Sequence, residues 1–189
     1  MVDKLMEHSG QTQKGFYLHN FEELFNAIKI NLNSDKRIFL MGVSYALLDF
    51  ATQFPLKLKN SIVMETGGMK GRKSEMVREE LHQRLKNAFT VEIHSEYSMT
   101  ELMSQAYSKK SGMFKTPPWL RILIRDIQDP KLVLESNLSG GINIIDLANI
   151  DSCSFIATQD IGIKYSDESF EVIGRIDNSD IRGCSLLFN

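Results

Sequence analysis

Several ingredients are scarce in this chain. Its 189 residues include two cysteines, Cys153 and Cys184, four prolines, four histidines and a single tryptophan. Two cysteines in a chain long enough to bury a core exclude a small disulfide-stapled secreted scaffold, and both read as reduced thiols. His8, His19, His82 and His94 share no ligand spacing with one another or with the cysteines, which argues against a structural metal site. Neither sign of charge dominates. The 22 basic and 24 acidic side chains leave a net charge of -2 and no basic stripe, so no nucleic acid partner is expected. No apolar run approaches the roughly 20 residues that cross a bilayer, and Met1-Val2-Asp3-Lys4 begins no charged-then-apolar signal. The expectation is a cytoplasmic protein with no membrane span. Low-complexity tracts and internal repeats are also missing. What is present, 42% hydrophobic and 24% charged residues, is the composition of an ordinary globular domain.

Hydrophobic periodicity divides the chain in two. Phe16-Tyr17-Leu18 reads as a short strand, and Asn20 as the cap of a helix with Phe21, Leu24, Phe25 and Ile28 on one face. Residues 37–43 read as a continuously apolar, buried strand feeding a helix through Tyr45, Leu48 and Phe50. Residues 61–65 form a strand that stops at Thr66-Gly67-Gly68, and Ser74 caps a helix carrying Val77, Leu81 and Leu85. Residues 91–94 read as a further strand, then a turn at Tyr97-Ser98 and a helix from Thr100. Alternating strand and helix predict a doubly wound α/β layer over 1–116. After Pro117-Pro118 come short strands at 120–125, 142–145 and 155–157, with Gly140-Gly141 as a turn. A hairpin of 161–165 and 170–173 follows, so 117–189 is expected to be a smaller, mostly antiparallel β region of the same unit.

Ligands of open α/β sheets sit where strands end, which directs attention to Gly67-Gly68 and to Tyr97-Ser98-Met99-Thr100-Glu101. The glycine pair, with Lys70 and Arg72 following, reads either as a tight turn or as a backbone cradle for a flat or anionic ligand. Tyr97 reads either as a core aromatic or as a face for a base. Thr100 and Glu101 read as a helix cap with a first-turn acid, or as groups for a phosphate and Mg²⁺. His94 either lines a pocket or is structural. Cys153 reads as a small buried apolar residue. Cys184 stands near Arg175 and Arg182, cations that lower a thiol's pKa. Met64, Met69, Met99, Met103 and Met113 either line an acyl channel or fill core.

The order of three segments resembles a known superfamily. Tyr97-Ser98-Met99-Thr100-Glu101 is similar to the Tyr-Gly-x-Thr-Glu motif of adenylate-forming enzymes, Thr158-Gln159-Asp160 to their Thr-Gly-Asp, and Gly174-Arg175-Ile176-Asp177 with Arg182-Gly183 to their hinge motif. Gly67-Gly68-Met69-Lys70-Gly71, Pro117-Pro118-Trp119 and Arg182-Gly183-Cys184 most resemble the acyl-protein synthetases, the bioluminescence fatty-acid-reductase subunits and their relatives. That resemblance implies ATP and Mg²⁺ as cofactors. Tyr97 would stack on adenine beside Gly67 and Gly68, Thr100 would meet the α-phosphate, Glu101 would hold Mg²⁺, and Asp160 and Arg175 would grip the ribose. It implies a fatty acid substrate, an acyl-adenylate, transfer of the acyl group to Cys184, and an acyl-CoA-reductase or acyltransferase partner. Ser98 and Gln159 replace glycines of the motifs. No counterpart of the superfamily's phosphate loop stands ahead of them, since no strand precedes Ser9-Gly10-Gln11-Thr12-Gln13-Lys14-Gly15. The chain is therefore expected to be a partial large domain, incomplete at its N-terminal side.

Overall fold

The computed structural model describes residues 2–11, 15–67 and 76–176. Its elements run α1 (Val2–His8), α2 (Phe21–Leu32), β1 (Ile38–Val43), α3 (Ser44–Gln53), β2 (Ser61–Thr66), α4 (Arg78–Phe89), β3 (Ile93–Tyr97), β4 (Ala106–Ser108), β5 (Phe114–Lys115), β6 (Leu120–Arg125), β7 (Ser139–Asp146), β8 (Phe155–Lys164) and β9 (Phe170–Arg175). The nine strands make one sheet in the order β1-β2-β3-β4-β5-β9-β8-β7-β6. The β1–β2 and β2–β3 pairs are parallel, and every later pair is antiparallel. Mixed α/β architecture is thus present, with a parallel layer continuing directly into antiparallel strands.

The helices form where the sequence supplies caps and an apolar stripe. Asn20 accepts a hydrogen bond from the Glu23 amide at 3.2 Å and donates to the Glu23 carboxylate at 2.8 Å, so two groups of the first turn of α2 are satisfied. Ile28 of that helix, Leu47, Leu48 and Phe50 of α3, and Leu81, Leu85 and Phe89 of α4 close over Leu40, Val63 and Ile93 of the parallel strands. A second core, Leu102, Phe114, Leu120, Ile122, Ile124, Ile142, Ile144 and Phe170, fills the antiparallel half.

Five local expectations need correction. Phe16-Tyr17-Leu18 makes no strand: Leu18 takes φ 44° and the Tyr17 carbonyl accepts the Asn20 amide at 2.7 Å, turning the chain into α2. The third parallel strand pairs from Ile93 to Tyr97 rather than 91–94, because Thr90 ends α4 in the left-handed region and Ile93 is the first residue opposite Val63. Strands 155–157 and 161–165 are one strand, β8, whose register shifts against β7 between Ala157 and Ile161 and against β9 between Ile161 and Gly162. Gly140-Gly141 lies inside β7, not at a turn. A Cβ on Gly141 would stand 2.5 Å from the Arg125 guanidinium carbon, so the glycine makes room for that side chain. Finally, no helix starts at Thr100.

The missing helix has a physical cause in Asp146. Its carboxylate is fully buried, and it captures the backbone amides of Met103 and Ser104 at 2.9 Å each and the Ser104 hydroxyl at 2.6 Å. These are the donors a helix from Thr100 would need to turn inward, and they are drawn across to the end of β7 instead. Ala148 adds a fourth donor at 3.1 Å, and the Trp119 indole donates to the Ser104 oxygen at 3.0 Å. Burial alone would raise the pKa of Asp146, but the hydrogen bonds from Ser104, Ala148 and Met103 outweigh it and hold the carboxyl below its usual range.

A group so depressed stabilises the fold in full above the unfolded aspartate value of about 3.9, and loses that contribution as pH falls through its lower folded value. Asp146→Asn is expected to lose about 1–3 kcal/mol in urea unfolding at neutral pH, because one of its two former acceptor positions becomes a donor facing donors. The gap between variant and parent should narrow below about pH 4, where the parent carboxylate is itself protonating. A gap unchanged by acid would show that Asp146 is not the charged hub of this turn.

Candidate functional site

Three side chains from three strands meet where the two halves of the sheet join. Tyr97 ends β3, Asp160 lies within β8, and Arg175 ends β9 directly opposite Asp160 in register. The Tyr97 hydroxyl donates to Asp160 Oδ2 at 2.8 Å. Arg175 Nε stands 3.5 Å from Asp160 Oδ1, and Arg175 Nη2 donates to Gln159 Oε1 at 3.1 Å. With 30% and 19% of their side chains exposed, the arginine and aspartate form a partly screened pair that fixes geometry more than it adds stability.

The Tyr97 ring is held edge-on to Phe170 at 5.6 Å and tilted against Phe114 at 5.9 Å, while Phe114 and Phe170 lie 5.4 Å apart. Burial first, then the charge of Asp160 and the hydrogen bond to it, push the Tyr97 phenol well above its ordinary pKa. It is therefore a neutral donor throughout the physiological range. Asp160 is aimed by its own backbone. Its amide donates to the Thr158 hydroxyl at 3.1 Å, and that hydroxyl donates to the Ile142 carbonyl at 2.9 Å.

Beneath this loop-free stretch of β8 lies a residue that the sequence pattern did not single out. Arg125, 9% exposed, donates to the Ile142 carbonyl at 3.0 Å, to Asn143 Oδ1 at 2.7 Å and to the Thr158 carbonyl at 2.7 Å. It clips β6, β7 and β8 together immediately below Asp160. The signal available in the sequence was the glycine pair opposite it: the missing Cβ of Gly141 leaves room for the guanidinium, and that of Gly140 for the Arg125 carbonyl.

The second predicted junction is partly in view. Gly67 follows β2 with φ 72° and open space where a Cβ would stand. The Ser44 oxygen lies 2.6 Å from the Gly67 carbonyl and 2.8 Å from buried Glu65 Oε2, one hydroxyl proton serving two acceptors. Next to it, Glu96 Oε1 accepts from Thr66 at 3.1 Å and from Ser98 at 2.9 Å. Thr100 and Glu101 occupy an exposed turn two residues beyond Ser98, where the Glu101 carbonyl accepts from Asn149 at 2.7 Å. Gly68, Lys70, Arg72, Ser74, Asp177, Arg182 and Cys184 lie outside the described residues. Cys153, expected to be buried, is exposed, because it precedes β8 in a surface turn, its thiol donating to the Phe155 carbonyl at 3.1 Å.

The arrangement presents a carboxylate with free lone pairs beside a guanidinium, at the rim of a sheet, over an aromatic floor. That set can accept two hydroxyls and donate to an oxygen-rich ligand at once. Among the described residues no group of three or more His, Cys, Asp or Glu side chains converges as a metal site. A concavity of about 370 Å³, lined by Met103, Tyr107, Lys115 and Trp119 among others, does not include Tyr97, Asp160 or Arg175.

No curated protein sequence matches the chain. Solved structures share its fold. Apo MatB from Rhodopseudomonas palustris superposes with a TM-score of 0.62 at 14% identity, over 84% of this chain and 34% of its own. The O-succinylbenzoate coenzyme A synthetase MenE from Bacillus subtilis, in complex with ATP and magnesium ion, gives 0.60 at 16% identity, over 86% of this chain and 36% of its own. A benzoate CoA ligase from Burkholderia xenovorans LB400 gives 0.53 at 15%, over 80% and 34%. The chain thus spans about a third of the length of these adenylate-forming neighbours, matching a partial domain. Residues 6–189 match a single family model throughout, and the chain belongs to the LuxE acyl-protein synthetase family.

Proposed function

We propose that this chain is the nucleotide-binding and acyl-accepting part of an ATP-dependent acyl-protein synthetase that activates a fatty acid and passes it to a cysteine. The observation that carries the reading is the convergence of Tyr97, Asp160 and Arg175 at one sheet rim. Asp160 holds the ribose hydroxyls through the oxygen lone pairs that Tyr97 and Arg175 leave open, and Arg175 donates to the same sugar. Tyr97, a fixed neutral phenol, keeps the carboxylate turned outward, and its ring stacks on the base. Gly67, with no side chain over it, lets the base approach backbone.

ATP supplies the electrophilic phosphorus that the acid's carboxylate attacks, giving acyl-adenylate and pyrophosphate. Thr100 and Glu101 stand on the exposed turn beside Tyr97. A single carboxylate fits a Mg²⁺ that arrives on the nucleotide's phosphates and keeps most of its waters. Cys184, as thiolate, then displaces AMP from the acyl carbon to form a thioester, ready for an acyl-CoA-reductase or acyltransferase partner. A second reading follows from the chain's span of a third of its structural neighbours: a module that binds nucleotide without turning it over.

Incubated with ATP, Mg²⁺ and labelled fatty acid, the full chain is expected to release pyrophosphate and take up hydroxylamine-labile label, and Cys184→Ser to release pyrophosphate without taking up label. Undiminished labelling of Cys184→Ser would overturn the thioester step, and product formed only with added coenzyme A would make this a CoA ligase. Nucleotide binding without pyrophosphate release would support the second reading. Asp160→Asn is expected to weaken ATP binding by about tenfold or more, the loss of one charge-assisted hydrogen-bonding site. Tyr97→Phe, which keeps the ring and loses the donor, should cost about 1 kcal/mol of folding stability in urea and a smaller share of ATP affinity.

A further inference from the structure

The left-handed turn that closes β2 is gripped from beneath. Gly67 is exposed, at φ 72°, and among the described residues nothing lies within 4 Å of where its Cβ would stand. A glycine placed this way has a wide choice of backbone conformations, so bonds to its own peptide groups must set the turn. Ser44 makes such a bond. It opens α3, is 1% exposed, and its hydroxyl donates to the Gly67 carbonyl at 2.6 Å.

Ser44 is itself aimed by buried groups. Its oxygen stands 2.8 Å from Glu65 Oε2, and Glu65 Oε1 lies 3.5 Å from Nε2 of His82 on α4. Ser95 Oγ, fully buried on β3, is 3.2 Å from the same nitrogen. Because Ser95 and Glu65 address one and the same imidazole nitrogen, the cluster is not a nucleophile relay, which needs a partner on each nitrogen of the ring. What it can do is hold a position. Side chains from α3, β2, β3 and α4 lock one another in a low-dielectric interior, and the bond that leaves the cluster ends on an exposed backbone carbonyl.

That carbonyl stands at the candidate site. The parallel strands β2 and β3 pair last at Thr66 with Glu96, so Gly67 and Tyr97 are the next residue on each strand. Thr66 donates to Glu96 Oε1 at 3.1 Å and ties the two strand ends together one residue earlier. We infer that Ser44 is a positioning residue for the nucleotide base: its hydroxyl holds Gly67 in the left-handed turn that keeps bare backbone beside the Tyr97 ring. Without the hydroxyl, Gly67 can leave that turn and the cradle is no longer preformed. The loss falls on the base and spares the sugar, which Asp160 and Arg175 address from β8 and β9. The inference deepens the proposed function and rests on its seating of the base against Gly67.

The test titrates the full chain by calorimetry with AMP and with ribose 5-phosphate, which carries sugar and phosphate but no base. Ser44→Ala is expected to weaken AMP binding about fivefold, the share of one hydrogen bond, and to leave ribose 5-phosphate within about twofold of the parent. Ser44→Thr, which keeps a hydroxyl, should bring AMP back to within about twofold. A general softening of the fold would weaken both ligands and would not be rescued in this way. Where ribose 5-phosphate binds too weakly to titrate, the Ser44→Ala loss and the Ser44→Thr recovery decide. Should Ser44→Ala fail to fold, Ser44→Cys, close in size but a poor donor, takes its place with a loss in the same direction. AMP binding unchanged without the hydroxyl, equal weakening of both ligands, or a threonine variant no better than the alanine or cysteine one would each overturn the inference and leave the nucleotide reading intact. A parent chain that binds neither ligand would overturn that reading and this inference with it.

Discussion

One hydrogen bond, Tyr97 to Asp160, connects the two halves of this molecule at the place where they are least connected otherwise. The parallel layer and the antiparallel strands share a sheet, yet β5 and β9 meet through a single paired position, Phe114 with Phe170. A seam that thin cannot rely on its backbone ladder. It relies on side chains: the stack of Phe114, Phe170 and Tyr97, and Arg78, the first residue of α4. Arg78 lies 5.4 Å from the Phe114 ring centre and donates to the Val172 carbonyl at 3.0 Å. The aromatic contacts each add on the order of 1 kcal/mol beyond their area, and a cation over a ring a similar amount. The seam is also where Asp160 and Arg175 emerge. The contacts that join the halves and the contacts that aim the candidate site are therefore the same contacts.

Around that seam the antiparallel half is pinned by charges placed inside it. Among the described residues, Arg125 has no carboxylate partner and spends its donors on carbonyls of β7 and β8 and on Asn143. Asp146, among the same residues, has no cationic partner and spends its lone pairs on amides and a hydroxyl. Each charge is satisfied by dipoles rather than by an opposite charge, an arrangement whose strength comes from the number and direction of short bonds in a low-dielectric interior. Charges held this way tolerate little movement, and they explain why the strands under Asp160 present it at a fixed height.

Long periodic segments were legible in the sequence, and local interruptions were not. The stripe of Phe21, Leu24, Phe25 and Ile28 and the unbroken run from Ile38 to Val43 each carry enough apolar residues for the period to be read directly. The helix expected from Thr100 failed because its cap signal was local, whereas the partner that captured its amides, Asp146, lies some forty residues away. Gly140-Gly141 likewise looked like a turn because a glycine pair gives no hint that an arginine fifteen residues earlier needs the space. The meeting of Tyr97, Asp160 and Arg175 was foreseen only through the resemblance of their motifs. No periodicity would bring residues 97, 160 and 175 to one rim, since that depends on β9 entering the sheet between β5 and β8.

The two faces of the parallel layer offer an internal comparison of how polar groups are handled. On the helix-covered face, Glu65 is 5% exposed and its needs are met: Ser44 donates to one oxygen at 2.8 Å and His82 lies 3.5 Å from the other, while Ser95 stands 3.2 Å from the same imidazole nitrogen. One residue pair along, on the opposite face, Glu96 is equally buried and only half met. Both glutamates sit at the carboxyl ends of neighbouring strands, in the same solvent and under the same backbone field, so composition and strand position do not account for the difference. What differs is where the donors come from: α3 and α4 supply a hydroxyl and an imidazole to the first, whereas among the described residues the second draws on Thr66 and Ser98 at the strand ends beside it. The two carboxylates are thus held by different kinds of element, packed helices on one face and neighbouring strand ends on the other.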